Sequence, residues 1–88
     1  MIAIKLPSKG FELAHINICS LRNKIIEVAE LLSPGIHLLA VSETHLDETF
    51  NDEVLGIQGY NIFRRDRNVN GGGVAVYVQN HIPVKNET

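Results

Sequence analysis

Asn17 and Glu43 are the residues of this sequence whose types and positions best suit the binding of a hard cation. Each falls at the downstream end of a short apolar segment, residues 11–18 and residues 36–41. A carboxylate beside an amide oxygen is a hard-oxygen pair, which suits magnesium or manganese rather than zinc. Taken singly, Glu43 reads equally as a solvated acid at a strand end, and Asn17 reads more readily as an asparagine that bonds its own turn. Their joint placement is what singles them out.

Other residues offer less. His45, two positions past Glu43, reads either as a supporting neighbour of that carboxylate or as a plain surface histidine. Arg64, Arg65 and Arg67 form the basic cluster of the chain, and a guanidinium can bind a nucleic-acid phosphate bidentately. The same arginines read equally as a solvated loop tied to Asp66. Arg22 could reach a phosphate or serve the start of a helix. Gly71-Gly72-Gly73 precedes a strand rather than a helix and lacks the following Lys-Ser/Thr of a phosphate loop, so it reads as hairpin flexibility. His15, His37 and His81 share no ligand spacing, and Cys19 has no evident base partner.

The elements that must position these groups follow from periodicity. Residues 11–18 alternate as a strand, with Phe11, Leu13, His15 and Asn17 on one face. Ser20 is expected to cap a helix whose apolar stripe is Leu21, Ile25, Val28, Ala29 and Leu32, ended by Pro34-Gly35. Residues 36–41 form a nearly continuous apolar run that suits a strand covered on both faces. Strand, helix and strand make a βαβ unit, whose parallel strands and right-handed crossover bring Asn17 and Glu43 to one rim. An acidic loop with a short helical turn follows over residues 46–59. Residues 60–64 and 74–78 then pair as a long-looped hairpin, the second strand apolar on both faces and suited to a central place. One helix cannot shield both faces of such a sheet, so a further layer is expected.

Composition sets the bounds. Hydrophobic residues make up 44% and charged residues 20%, which favours a globular fold over disorder. A net charge of -2 provides no general attraction to nucleic acid or anionic lipid, so any such binding must be local. A single cysteine excludes an internal disulfide framework and points to an intracellular, reducing setting. No secretory signal and no apolar run near the roughly 20 residues of a membrane span is present, so no membrane association is expected, and no oligomer is evident.

The segments His15-Ile16-Asn17-Ile18-Cys19-Ser20-Leu21-Arg22, Leu39-Ala40-Val41-Ser42-Glu43-Thr44-His45-Leu46, Gly59-Tyr60 and Gly72-Gly73-Val74-Ala75-Val76-Tyr77-Val78 resemble the endonuclease/exonuclease/phosphatase superfamily. The likeness is closest to the apurinic-type endonuclease domains of non-LTR, LINE-like retrotransposons and covers residues 11–84. It implies an α/β fold in which residues 1–88 form the N-terminal part of a two-sheet, DNase I-like sandwich: β-α-β followed by a β-hairpin. It implies Glu43 as a catalytic metal ligand, Asn17 as the asparagine that shapes the metal and phosphate site, Mg2+ or Mn2+ as cofactor and DNA as substrate. Arg22, Arg64 and Arg67 become candidate nucleic-acid contacts, and His45 a residue behind the metal ligand. A nuclear location follows if the chain belongs to an active retrotransposon protein. The family's later motifs, an aspartate–asparagine pair and a terminal aspartate–histidine pair, are not among these residues. Two other readings stay open: a non-catalytic remnant or protein-interaction fragment, and a small phosphate-binding α/β module.

Overall fold

The computed structural model describes residues 12–32, 35–67 and 71–82, and the backbone of residues 2–6. Phe11 and Pro34, expected to begin the first strand and to end the helix, lie outside the described residues, as do residues 68–70 and 83–88. In chain order the elements are β1 (Ile2–Leu6), β2 (Leu13–Asn17), α1 (Ile25–Leu32), β3 (Leu38–Ser42), α2 (Asp52–Leu55), β4 (Tyr60–Arg65) and β5 (Val74–Gln79). The protein is a small mixed α/β fold with one sheet in the order β1-β2-β3-β5-β4.

The expected βαβ unit is present. β2 and β3 run parallel, with Leu13 opposite Leu38 and Asn17 opposite Ser42. The hairpin is also present, β4 pairing antiparallel with β5 from Tyr60↔Gln79 to Arg65↔Val74. β5 takes the interior place that its apolar character suits, between β3 and β4. The short helical turn of the acidic loop is α2, capped where Asn51 Oδ1 accepts the Val54 N–H at 3.0 Å. β1, where the sequence reading has no strand, adds antiparallel to β2 at the edge.

Ser20 does not cap α1, which starts five residues later at Ile25. The reason lies in the parallel ladder, which outlasts β2. Ile18, Ser20 and Leu21 donate their N–H groups to the carbonyls of Ser42, Glu43 and Thr44 at 3.0, 2.9 and 3.0 Å. That pairing holds residues 18–21 against the end of β3, and only after a turn closed by Lys24 N–H to the Leu21 carbonyl does the chain coil.

The core lies on one face of the sheet. Ala14, Ile16, Leu39, Val41, Ala75 and Tyr77 point into it and meet Val28 and Leu32 of α1 and Leu55 of α2. Among the described residues the cover of β3 is uneven: Leu39 and Val41 are buried, whereas Leu38, Ala40 and Ser42 on the other face are only partly so, although Val78 opposite Leu38 is buried there. Leu13, Phe63 and Val76 share that second face by register, and Val74 there is 50% exposed. Among the described residues no helix is long and apolar enough to cross a membrane.

Tyr77 ties the sheet to α2. Its hydroxyl is fully buried and donates to the Leu55 carbonyl at 2.7 Å, and burial pushes the phenol up to about 12 from its ordinary 10.0. The folded state therefore holds the proton more tightly than the unfolded chain does. That stabilisation is complete below pH 10.0 and is lost as pH rises through about 12. Tyr77→Phe is expected to lower stability by about 1 kcal/mol at neutral pH. It should also flatten the alkaline loss between pH 10 and 12, as read from urea midpoints across that range.

Candidate functional site at the ends of β2 and β3

The loops that leave β2 and β3 converge on one rim, and their backbone there is unusual. Among the described residues, positive φ at non-glycine positions occurs at Cys19 (49°), Ser20 (97°), Glu43 (59°) and His45 (54°), two just past each strand. Residues held in this sparsely populated region cluster at functional sites, because the surrounding structure must over-determine them. Here the over-determination is visible: Thr44 and His45 donate to the carbonyls of Gly73 and Gly72 at 3.3 and 3.0 Å. Residues 43–45 are thus clasped between the extension of β2 and the loop that enters β5.

The clasp fixes Glu43. Its Oε2 accepts the Gly72 N–H at 3.2 Å and lies 3.3 Å from His45 Nε2. Both side chains are partly exposed. Thr44, between them, is turned inward and fully buried, and its Oγ1 has no hydrogen-bond partner among the described residues. Asn17 ends β2 directly opposite Ser42, one residue before Glu43, and is exposed. Its Oδ1 accepts from Cys19 Sγ at 3.2 Å. Asn17 and Glu43 therefore share the rim without a hydrogen bond between them.

The arginines separate. Arg64 is turned into the protein: its side chain is only 11% exposed and its guanidinium is occupied by neighbouring acceptors. It donates to Asp66 Oδ2 at 2.7 Å, Asp52 Oδ1 at 3.0 Å and the Asp47 carbonyl at 2.8 Å. Alternation along β4 explains this, since Arg64 shares the inner face with Ile62 and Tyr60, whereas Arg65 faces outward. Arg67 is exposed and its stem crosses Gly72, filling the space that a Cβ there would need. Arg67 is thus the arginine of the cluster that borders the Glu43 rim. Arg22 is exposed with its guanidinium 5.7 Å from the centre of the Phe50 ring, a cation–π distance.

The sequence reading missed the glycines. Gly72 and Gly73 have φ of 74° and 90°, and a Cβ on Gly73 would stand 2.5 Å from Thr44 Oγ1. They are required by geometry rather than by flexibility. A glycine run placed just before a buried strand, with a glutamate at the end of the neighbouring strand, is the signal that could have found them.

The remaining candidates lie elsewhere. His15 Nε2 is 3.1 Å from Ser42 Oγ on the second sheet face. His37 accepts the Glu12 N–H on Nδ1 and meets His81 edge-on, ring centres 6.4 Å apart, at the opposite end of β3. A groove of about 470 Å³ also opens at that far end, lined by Leu32, Gly35, Gln58, Tyr60 and Gln79 among others. Its ionisable group, the Tyr60 hydroxyl, is engaged with the carbonyls of Ile36 and Leu32.

Among the described residues no group of three or more His, Cys, Asp or Glu is placed to hold a metal ion. A structural zinc site is therefore not formed by them. A carboxylate and an amide oxygen are ligands of the hard-oxygen type that magnesium takes, alongside several waters and the oxygens of a bound phosphate. Comparison with protein-family models, curated proteins and solved structures finds no match to this chain.

Proposed function

We propose that this chain is the N-terminal portion of a divalent-metal-dependent DNA endonuclease of the endonuclease/exonuclease/phosphatase superfamily, of the kind that nicks target DNA for non-LTR retrotransposons. The observation that carries this reading is the fixed carboxylate of Glu43, held on Oε2 by the Gly72 amide at the end of a parallel strand, with Asn17 on the adjoining strand end. Ligand sites of α/β sheets lie at this position, outside the carboxyl ends of parallel strands. The second sheet face, which has no helix over it among the described residues, is where a DNase I-like sandwich would place its other sheet.

In this reading Glu43 and Asn17 would hold Mg2+ or Mn2+, which when bound would neutralise charge on the scissile phosphodiester and on the leaving oxygen. The chain's own residues bind and orient. Arg67, beside the rim, contacts a DNA backbone phosphate, and Arg22 reaches a second one from the loop after β2. The motifs that in this superfamily supply the group deprotonating the attacking water are not among these residues. A nuclear location follows if the chain belongs to an active retrotransposon protein.

The test is Mg2+-dependent plasmid nicking by the longest gene product that contains these residues. Glu43→Ala is expected to reduce nicking by about a hundredfold or more with little change in melting temperature. Nicking at the parental rate by that variant would remove the site assignment.

A further inference from the structure

Glu43 has two carboxylate oxygens, and the structure treats them differently. Oε2 receives both the Gly72 N–H, at 3.2 Å, and the His45 ring nitrogen, at 3.3 Å. Oε1 has no hydrogen bond among the described residues. An ionised carboxylate only accepts, so His45 Nε2 carries the hydrogen in this contact. The left-handed backbone at Glu43 and at His45 brings residues two apart to the same oxygen while Thr44 is turned into the core. Histidine is among the residues that tolerate this conformation.

We propose that His45 is a positioning residue for Glu43: with the Gly72 amide it holds Oε2, so that Oε1 is kept for a divalent cation. This rests on the metal-site reading given above and adds a residue to it. A glutamate side chain that samples its rotamers must lose that freedom when it becomes a ligand, and two donors on the far oxygen remove part of that loss in advance. Hydrogen-bond partners of metal-bound carboxylates typically change metal affinity by about 10–100-fold when removed.

The experiment measures Mn2+ affinity by the EPR signal of the free ion, on the full chain, with melting temperatures recorded for every variant. Glu43→Gln should abolish the Mn2+ binding. His45→Phe, which keeps a ring without a donor, should weaken Mn2+ binding about tenfold. His45→Gln, whose amide N–H can reach the same oxygen, should stay within about threefold of the parent. A merely structural histidine would not separate the phenylalanine and glutamine variants at equal melting temperature.

Equal affinity in the parent and His45→Phe, with binding still lost in Glu43→Gln, would overturn the positioning role and leave the metal site standing. A glutamine variant as weak as the phenylalanine one would overturn the donor assignment. Absence of Mn2+ binding that depends on Glu43 would overturn the metal site itself and the positioning role with it.

Discussion

Arg64→Ala is expected to cost about 4 kcal/mol of folding stability, which is within the range that breaking a buried ion pair produces. Chains of this size have about 4–13 kcal/mol in total, so the variant should be largely unfolded in mild denaturant. The guanidinium joins three segments: the acidic loop through the Asp47 carbonyl, α2 through Asp52, and the end of β4 through Asp66. These arms are unequal. Asp52 is 63% exposed, so its pair is worth less than about 1 kcal/mol. Asp66 is 19% exposed against an arginine that is 11% exposed, and loss of the guanidinium leaves a largely desolvated carboxylate and a carbonyl without their donor. Asp52→Asn should therefore be mild, Asp66→Asn intermediate and Arg64→Ala severe. Arg64→Lys should fall between, because a single ammonium cannot reach all three acceptors that the planar fork serves. Arg65→Ala and Arg67→Ala, both exposed, should each stay within about 0.5 kcal/mol of the parent. Urea midpoints at constant slope would check the series; equal midpoints for the Arg64 and Arg67 variants would refute the clamp.

That contrast also shows what the sequence made legible. Arg64, Arg65 and Arg67 are alike as a basic cluster, and only the pairing of β4 with β5 separates the inward one from the outward ones. The period of two was available: Tyr60, Ile62 and Arg64 occupy one face, and an arginine on the core face must find acceptors. The βαβ unit, the hairpin and α2 were legible because apolar spacing and turn residues act locally. The start of α1 was not, since Ser20 is a good cap by type and is denied that role by hydrogen bonds to residues more than twenty positions away. β1 lacked a signal for the same reason: its place at the edge depends on β2. At the rim, the type of Glu43 and its position at a strand end were readable. The donors that fix it were not, because Gly72 lies 29 positions further on and acts through its backbone.

Gly73→Ala is expected to cost about 4 kcal/mol, although it adds only one methyl group at a partly buried position. Two separable effects contribute. The backbone at Gly73 has φ of 90°, where an L side chain is strained by about 1–3 kcal/mol. The new Cβ would also stand 2.5 Å from Thr44 Oγ1, and overpacking of this kind typically costs about 1–3 kcal/mol. Thr44 is fully buried and its N–H is bonded to Gly73, so it has little room to retreat. The second effect can be removed alone. Thr44→Ala should be nearly neutral, because the loss of a buried methyl, about 1 kcal/mol, is offset by removal of a buried hydroxyl that lacks a partner among the described residues. The double variant should then recover about 2 kcal/mol relative to Gly73→Ala and retain the backbone strain. Gly72→Ala supplies the contrast: its Cβ would meet the Cδ of Arg67, an exposed side chain able to move, so backbone strain alone should remain. Full recovery in the double variant would place the whole cost in the clash and none in the backbone. No recovery would mean that Thr44 is not what Gly73 makes room for, and that the close approach of β3 and β5 at the rim is set by the left-handed turn itself.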